Sequence, residues 1–219
     1  MKKTIAICTP SYTGTVHHSH VPAVAVLDNS FNADWHVSNY VVTAGIALLD
    51  HARNCCADSA MATGADWTLW IDADTVLEHT TLVRLCDRAL AVEIESNAAF
   101  LLSAATPLRL THDGQVWERD NGVATTTAFG VREVEHVGMA CTLMTRTALE
   151  AVRQFGHNYT INGNTIHESF SHGASRDGTY VGEDVRFCRT LRAAGGRVYL
   201  DPNIKTGHFS PVVHREEAP

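Results

Sequence analysis

No apolar run in this 219-residue chain approaches the ~20 residues that a membrane-spanning helix needs. Cys8, Cys55, Cys56, Cys86, Cys141 and Cys188 include no CxxC pair, and most fall inside apolar or helical patterns. That excludes a zinc site or a disulfide framework as the organising element, and reads as reduced, buried thiols in a cytoplasmic protein. Lysine and arginine are absent from Thr4 to Ala52. Positive charge is scarce overall: the net charge of −7 disfavours a protein that holds nucleic acid mainly through its phosphates, although it leaves room for a local basic patch. There is also no internal repeat and no low-complexity linker, which argues for one domain, 1–219, with two halves at 1–104 and 105–219.

What is present is ordinary globular material, 45% hydrophobic and 19% charged, in a chain long enough to bury most of its unfolded surface. The opening Met1 to Ile7 has the look of a signal-peptide start. Pro10 and the polar stretch Ser11 to His20 end that run too soon, so Lys3 to Thr9 reads as the first core strand. A turn follows at Pro10 to Gly14, then a short helix at Val21 to Leu27 and a strand at His36 to Val42. Ile46 to Thr63 has helical spacing and stops at Gly64; Trp67 to Ile71 is a third strand, and Thr80 to Glu95 a helix. This alternation argues a parallel, doubly wound half. The second half changes character. Ala99 to Ala104 is a strand, Leu108 to Trp117 reads as a hairpin turning at His112-Asp113-Gly114, and Thr125 to Val137 and Met139 to Met144 are β-rich. Thr147 to Phe155 is helical. Gly156 to Gly182 is polar and glycine-rich without periodicity, a length of loop that is usually functional or mobile. Glu183 to Ala194 is a helix stopped by Gly195-Gly196, and Arg197 to Leu200 a short strand. The tail carries His208 and ends in a solvated Arg215-Glu216-Glu217. Most of the thirteen histidines fall in presumed loops and read as solvated.

The most informative stretch is Trp67 to Asp74, where an apolar strand ends in two carboxylates one residue apart. Carboxylates are costly to bury alone, so a pair at the carboxyl end of a core strand faces a crevice, a cation, or both. Asp72 and Asp74 are hard oxygen ligands able to share Mg²⁺ or Mn²⁺ with a substrate diphosphate. The alternative is that Asp74 N-caps a following helix, since Thr75 to Ser96 shows helical spacing. Three further features accompany them. Thr9-Pro10-Ser11-Tyr12 brings hydroxyls and a ring to the end of the first strand, where open α/β sheets bind ligands. Arg53 is either a surface charge or a donor clamping a phosphate or base. Glu183 and Asp184 either complement a helix dipole or supply a general base beside an acceptor hydroxyl.

Taken together these segments resemble the GT-A glycosyltransferases, especially the family-2-like group that includes small bacterial and phage-encoded members. The resemblance covers nearly the whole chain. It is carried by Thr9 to Tyr12, Ala52-Arg53-Asn54, Asp72-Ala73-Asp74, Val137 to Cys141, Gly182 to Cys188, Gly195 to Pro202, and Gly207-His208. It implies a single α/β GT-A domain, in which a Rossmann-like nucleotide-binding half with a mixed central sheet joins a smaller acceptor-side β/α half. It also implies that Asp74 binds a divalent metal, that Asp72 binds the metal or the donor ribose, and that His208 completes the metal shell. A histidine among aspartates suits Mn²⁺ better than Mg²⁺. By the same resemblance Thr9, Pro10, Tyr12 and Arg53 hold the nucleotide of a UDP- or GDP-linked sugar, and Asp184, with Glu183 beside it, acts as base if the enzyme inverts. The chain lacks the extra domain, membrane anchor and basic tail of larger relatives, which leaves the acceptor open: a carbohydrate, another hydroxyl-bearing molecule, or, less favoured by the charge, modified DNA.

Two other readings compete. A nucleotidyltransferase also sets carboxylates and metal on an α/β sheet, but normally shows a basic glycine-rich loop near the first strand, where this chain has Gly14 and no cation. A non-catalytic nucleotide- or carbohydrate-binding protein on the same scaffold has no need of Asp72, Asp74, Asp184 and His208 together.

Overall fold

The computed structural model describes residues 2–28, 34–96, 98–107, 127, 129–175 and 177–209. The elements run β1 (Lys3–Pro10), α1 (His20–Asp28), β2 (Trp35–Thr43), α2 (Leu49–Thr63), β3 (Trp67–Ile71), β4 (Thr75–Val76), α3 (Thr81–Ser96) and β5 (Phe100–Ala105). They continue with β6 (Arg132–Glu133), β7 (Cys141–Thr145), α4 (Arg146–Arg153), β8 (Asn158–Ile161), β9 (Asn164–His167), β10 (Gly173–Ala174), β11 (Tyr180–Val181), α5 (Glu183–Ala193), β12 (Arg197–Lys205) and β13 (Gly207–His208).

A seven-stranded sheet in the order β2-β1-β3-β7-β5-β12-β6 forms the centre. β1 pairs in parallel with β2 and β3, and β5 with β12, while β7 runs antiparallel between β3 and β5. The sheet is therefore mixed, as expected, and a strand from the second half of the chain sits between two from the first. Alternate residues of each central strand feed opposite cores, which is why β1, β3, β5 and β7 read as unbroken apolar runs. Ile5, Ile7, Leu69 and Leu102 pack with α1 and α3, while Ala6, Cys8, Trp70 and Leu101 pack with α2, α4 and α5. On the first face Trp35, Trp67 and Phe100 each open a strand and, with Tyr199, meet edge to face at centroid distances of 5.4 to 5.8 Å.

Local chemistry sets the helix ends. Gly64, at φ 73°, closes α2 with its amide on Met61 O, a left-handed cap that glycine adopts without strain. Thr145 caps α4 by accepting the Ala148 amide at 3.1 Å. α5 starts with Glu183 and Asp184 in its first turn, favourable to its dipole.

Several expectations are corrected. Thr75 and Val76 form β4 and α3 begins only at Thr81, so Asp74 caps no helix. Of Thr125 to Val137, only Arg132–Glu133 is strand among the described residues. β12 extends five residues beyond Leu200, to Lys205. Gly156 to Gly182 is not structureless: β8 and β9 make a hairpin turning at Asn162-Gly163, both at positive φ, and β10 pairs with β11. The hairpin is tied to α2, with His51 Nδ1 2.7 Å from Tyr159 Oη and the His167 amide donating to Asp58 at 3.0 Å. The hairpin expected at Leu108 to Trp117 and the tail Arg215 to Glu217 lie outside the described residues.

Candidate active site

The parallel strands aim their carboxyl ends at one edge of the sheet, and β7, running the other way, starts there. This places Pro10-Ser11-Tyr12, Asp72, Ala104 to Thr106 and Val137 to Ala140 side by side. Two cavities open along this edge. One, of about 590 Å³, is lined by Pro10, Tyr12, His17, His18, Asp74 and Phe209 among others. The other, of about 770 Å³, is lined by Arg53, Glu183, Asp184, His208 and a largely apolar wall. Asp72 and Leu49 border both. Each volume is in the range that takes a drug-sized ligand.

The turn between β3 and β4 is held from every side. The Asp72 amide donates to Ala140 O at 3.0 Å and the Thr75 amide to Asp72 O at 2.9 Å. The His17 amide donates to Ala73 O at 2.7 Å and the Phe209 amide to Asp74 O at 2.8 Å. Thr75 Oγ1 donates to Ala140 O at 2.8 Å, and His20 Nε2 donates to Thr75 O at 3.0 Å. A carbonyl can only accept, so His20 carries its proton on Nε2 and its Nδ1 accepts from the Tyr40 hydroxyl at 3.2 Å. Burial keeps His20 below the ordinary histidine pKa and so neutral. The two carboxylates thus stand on a preorganised backbone.

Arg53 is only 2% exposed. Its Nη2 donates to both Asp72 oxygens, at 2.9 and 3.2 Å, and its Nη1 donates to Glu183. Burial works against the guanidinium charge, but Asp72 and Glu183 outweigh it and leave the pKa above its ordinary value. Asn54 on the next position of α2 accepts the Ser169 and Phe170 amides at 2.8 and 2.7 Å and donates to Phe170 O at 2.9 Å. α2 therefore anchors the segment that leads into α5. Burial raises the Asp184 carboxyl above its ordinary pKa, and the pull of Arg53 in the other direction does not cancel it.

The residues expected from the sequence separate into groups. Pro10, Tyr12, Asp72 and Asp74 line the smaller cavity, and Tyr12 is 67% exposed there. Arg53, Asp72, Glu183, Asp184 and His208 line the larger one, which sets Arg53 beside the acidic pair and apart from Tyr12. Thr9 is fully buried and lines neither; its hydroxyl stands 3.5 Å from Tyr40 Oη. β13 pairs with β4, so His208 lies opposite Thr75, next to Asp74.

The sequence reading missed His17, His18 and Phe209 in the smaller cavity, where the His17 ring packs on both others at 4.2 and 5.6 Å. No spacing in the chain marks them. Burial and then His18 lower the His17 pKa. The six thiols are free, and burial pushes Cys141 and Cys188 up to about 12, which leaves them unreactive.

Among the described residues no group of three or more His, Cys, Asp and Glu side chains is arranged to hold a metal ion. The donor chemistry nonetheless fits a cation shared with a substrate. His208 Nδ1 is buried and finds no hydrogen-bond partner, and a Mg²⁺ or Mn²⁺ carried by a diphosphate needs only one or two protein ligands. Among the described residues no helix is long and apolar enough to cross a membrane.

No protein-family model and no curated protein matches the sequence. Solved structures do. The crystal structure of A197 from STIV superposes with a TM-score of 0.54 at 16% identity, covering 95% of this chain and 86% of that one. The glycosyltransferase GalNAc-T7, crystallised with UDP, GalNAc and Mn²⁺, superposes with a TM-score of 0.52 at 10% identity over 94% of this chain, which spans 44% of that protein. With its mixed seven-stranded sheet, the chain has a GT-A-like fold.

Proposed function

We propose that this protein is a metal-dependent glycosyltransferase that moves a sugar from a UDP- or GDP-linked donor to an acceptor hydroxyl. The observation that carries this reading is that Asp72 borders two cavities at once, on a rigid turn, with Asp74 on one side and Asp184 on the other. The smaller cavity takes the nucleotide, with Tyr12 against the base and Pro10 and the residues after β1 along the ribose. The diphosphate lies at the Asp72-Ala73-Asp74 turn, and the sugar enters the larger cavity on its polar side, beside Asp72, Arg53 and Glu183. Asp74 and His208 hold the cation there, and Asp72 holds the cation or the ribose. A bound Mn²⁺ or Mg²⁺ neutralises the charge that builds on the departing diphosphate without any proton transfer.

Asp184 takes the proton from the acceptor hydroxyl if configuration inverts, and burial, by raising its pKa, makes it a stronger base than an exposed carboxylate. Glu183 is engaged by Arg53 and keeps the start of α5 in place. Because Arg53 holds Asp72 as well, it tunes the nucleotide site indirectly, through the carboxylate, and does not itself grip the base. The six free thiols support a cytoplasmic setting, and the charge of −7 supports a carbohydrate or small hydroxyl-bearing acceptor over modified DNA.

The test is hydrolysis or transfer from a panel of nucleotide-sugars with Mn²⁺ and with EDTA. Turnover of one donor, lost on chelation and restored by Mn²⁺, is the expected result. Binding of a nucleotide-sugar with no turnover under any condition would return the chain to the class of non-catalytic binders.

A further inference from the structure

The larger cavity has a lining of two chemical kinds. Arg53, Asp72 and Glu183 are joined to one another. Most of the rest is apolar: Val137, Met139, Val185, Leu200, Ala104 and Pro107. Of the polar side chains in this lining, Arg53 Nε and His208 Nδ1 are buried without a hydrogen-bond partner, whereas Ser103 and Thr106 are satisfied internally. The Ser103 hydroxyl donates to Ala104 O at 2.9 Å, and the Thr106 and Thr206 hydroxyls pair at 2.7 Å. Gly138 O accepts from Thr142 Oγ1 at 3.0 Å, and Ala140 O accepts from the Asp72 amide and Thr75 Oγ1. Asp184 is different. One of its oxygens accepts the Val185 amide at 2.7 Å, and the other lies where a methyl group on Gly138 would come within 3.8 Å. The wall therefore presents a carboxylate set among apolar side chains.

A polyhydroxylated acceptor packed on the apolar wall of Val137, Met139, Val185 and Leu200 would leave hydroxyls without partners, and each unpaired group loses its hydration for nothing in return. An apolar body gains from the same burial. We propose that the acceptor is a hydroxyl group carried on an apolar body, aromatic or aliphatic, that packs on Val137, Met139, Val185 and Leu200 and presents its hydroxyl to Asp184. This rests on the glycosyltransferase reading and narrows its acceptor.

The experiment supplies 2-naphthol, 1-octanol or maltose as acceptor, with a pool of UDP- and GDP-sugars and Mn²⁺. It follows glycoside formation and, separately, hydrolysis of the donor. kcat/KM for naphthol or octanol is expected to exceed that for maltose about tenfold or more, since a single methylene in an apolar pocket is worth about that much. Whichever of the two apolar arms is preferred tells aromatic from aliphatic. Met139→Gln, similar in length but polar at its end, should narrow the preference. Donor hydrolysis together with equal or better use of maltose overturns the acceptor inference while sparing the glycosyltransferase reading. If no donor turns over, that reading fails. Calorimetric titration of the free protein with naphthol and with maltose then still decides the chemistry of the cavity, and tighter binding of maltose overturns the inference.

Discussion

Arg53 Nη2 stands 2.9 Å from Asp72 Oδ1, and the same buried guanidinium donates through Nη1 to Glu183. One side chain on α2 thus ties the end of β3 to the start of α5, elements more than a hundred residues apart in the chain. Its planar fork suits two carboxylates at once, which a lysine ammonium does not match.

Removing that fork should be costly. Arg53→Met leaves two partly buried carboxylates facing each other without a cation, and is expected to destabilise the fold by roughly 2–5 kcal/mol. Arg53→Lys keeps the charge and should lose less. Urea denaturation of both variants measures this, and an Arg53→Met midpoint equal to wild type would refute the structural role.

The metal assignment predicts that Asp74→Asn lowers transfer by orders of magnitude while the circular dichroism spectrum is unchanged. His208→Ala should weaken Mn²⁺ activation and raise the metal concentration for half-maximal rate. Full activity in EDTA would remove the metal from the mechanism.

Asp184 should show opposed effects on activity and stability. Its folded pKa is raised, so as pH climbs through the ordinary carboxylate range the unfolded chain releases this proton first, and folding loses stability up to the folded value and stays lower above it. Asp184→Asn therefore abolishes transfer by an inverting enzyme yet unfolds at a higher temperature than wild type at neutral pH, a gain that shrinks toward acid pH. Thermal unfolding at neutral and acidic pH is the check. A variant less stable than wild type at neutral pH contradicts the burial argument.

His20 holds Tyr40 and the buried Thr75 carbonyl, and the carbonyl orphaned by His20→Ala costs roughly 1–3 kcal/mol. His20→Gln should recover part of the loss. The His20 pKa is lowered in the fold, so as pH falls through the ordinary histidine value the unfolded chain takes up a proton that the folded chain resists, and wild-type stability declines. His20→Gln should flatten that decline, as measured by unfolding free energies from about pH 8 to pH 5. An unchanged slope means another histidine governs it.

Tyr12→Ala should weaken nucleotide binding about tenfold or more, since stacking of a base on an aromatic ring is worth roughly 1–3 kcal/mol. Thermal-shift titration with UDP and GDP reads this. Wild-type affinity in the variant would place the base elsewhere in the smaller cavity, against His17 and Phe209.

The local patterns were legible. Buried strands announce themselves as continuous apolar runs, α2 and α5 by their 3.6-residue spacing and glycine ends, and a strand breaking off in Asp72-Ala73-Asp74 marks the ligand edge of the sheet, because none of these needs a distant partner to be recognised. The β8–β9 hairpin carried a readable signal too, Asn162-Gly163 between β-prone residues, hidden by the surrounding glycines. Other features were decided only by tertiary structure. Thr75 and Val76 leave helical spacing for a strand because β13 pairs with them. β7 inserts antiparallel between β3 and β5 because cross-strand pairing is set by the whole sheet. Arg53 is equally at home on a helix surface until Asp72 and Glu183, 19 and 130 residues away, fold around it. His17, His20 and Phe209 carry no periodic mark, and their place at the turn comes from backbone hydrogen bonds and burial that exist only once β1, β4 and β13 have met. Propensity and hydrophobic period are properties of neighbours in the chain, whereas ion pairs and cavities are properties of neighbours in space.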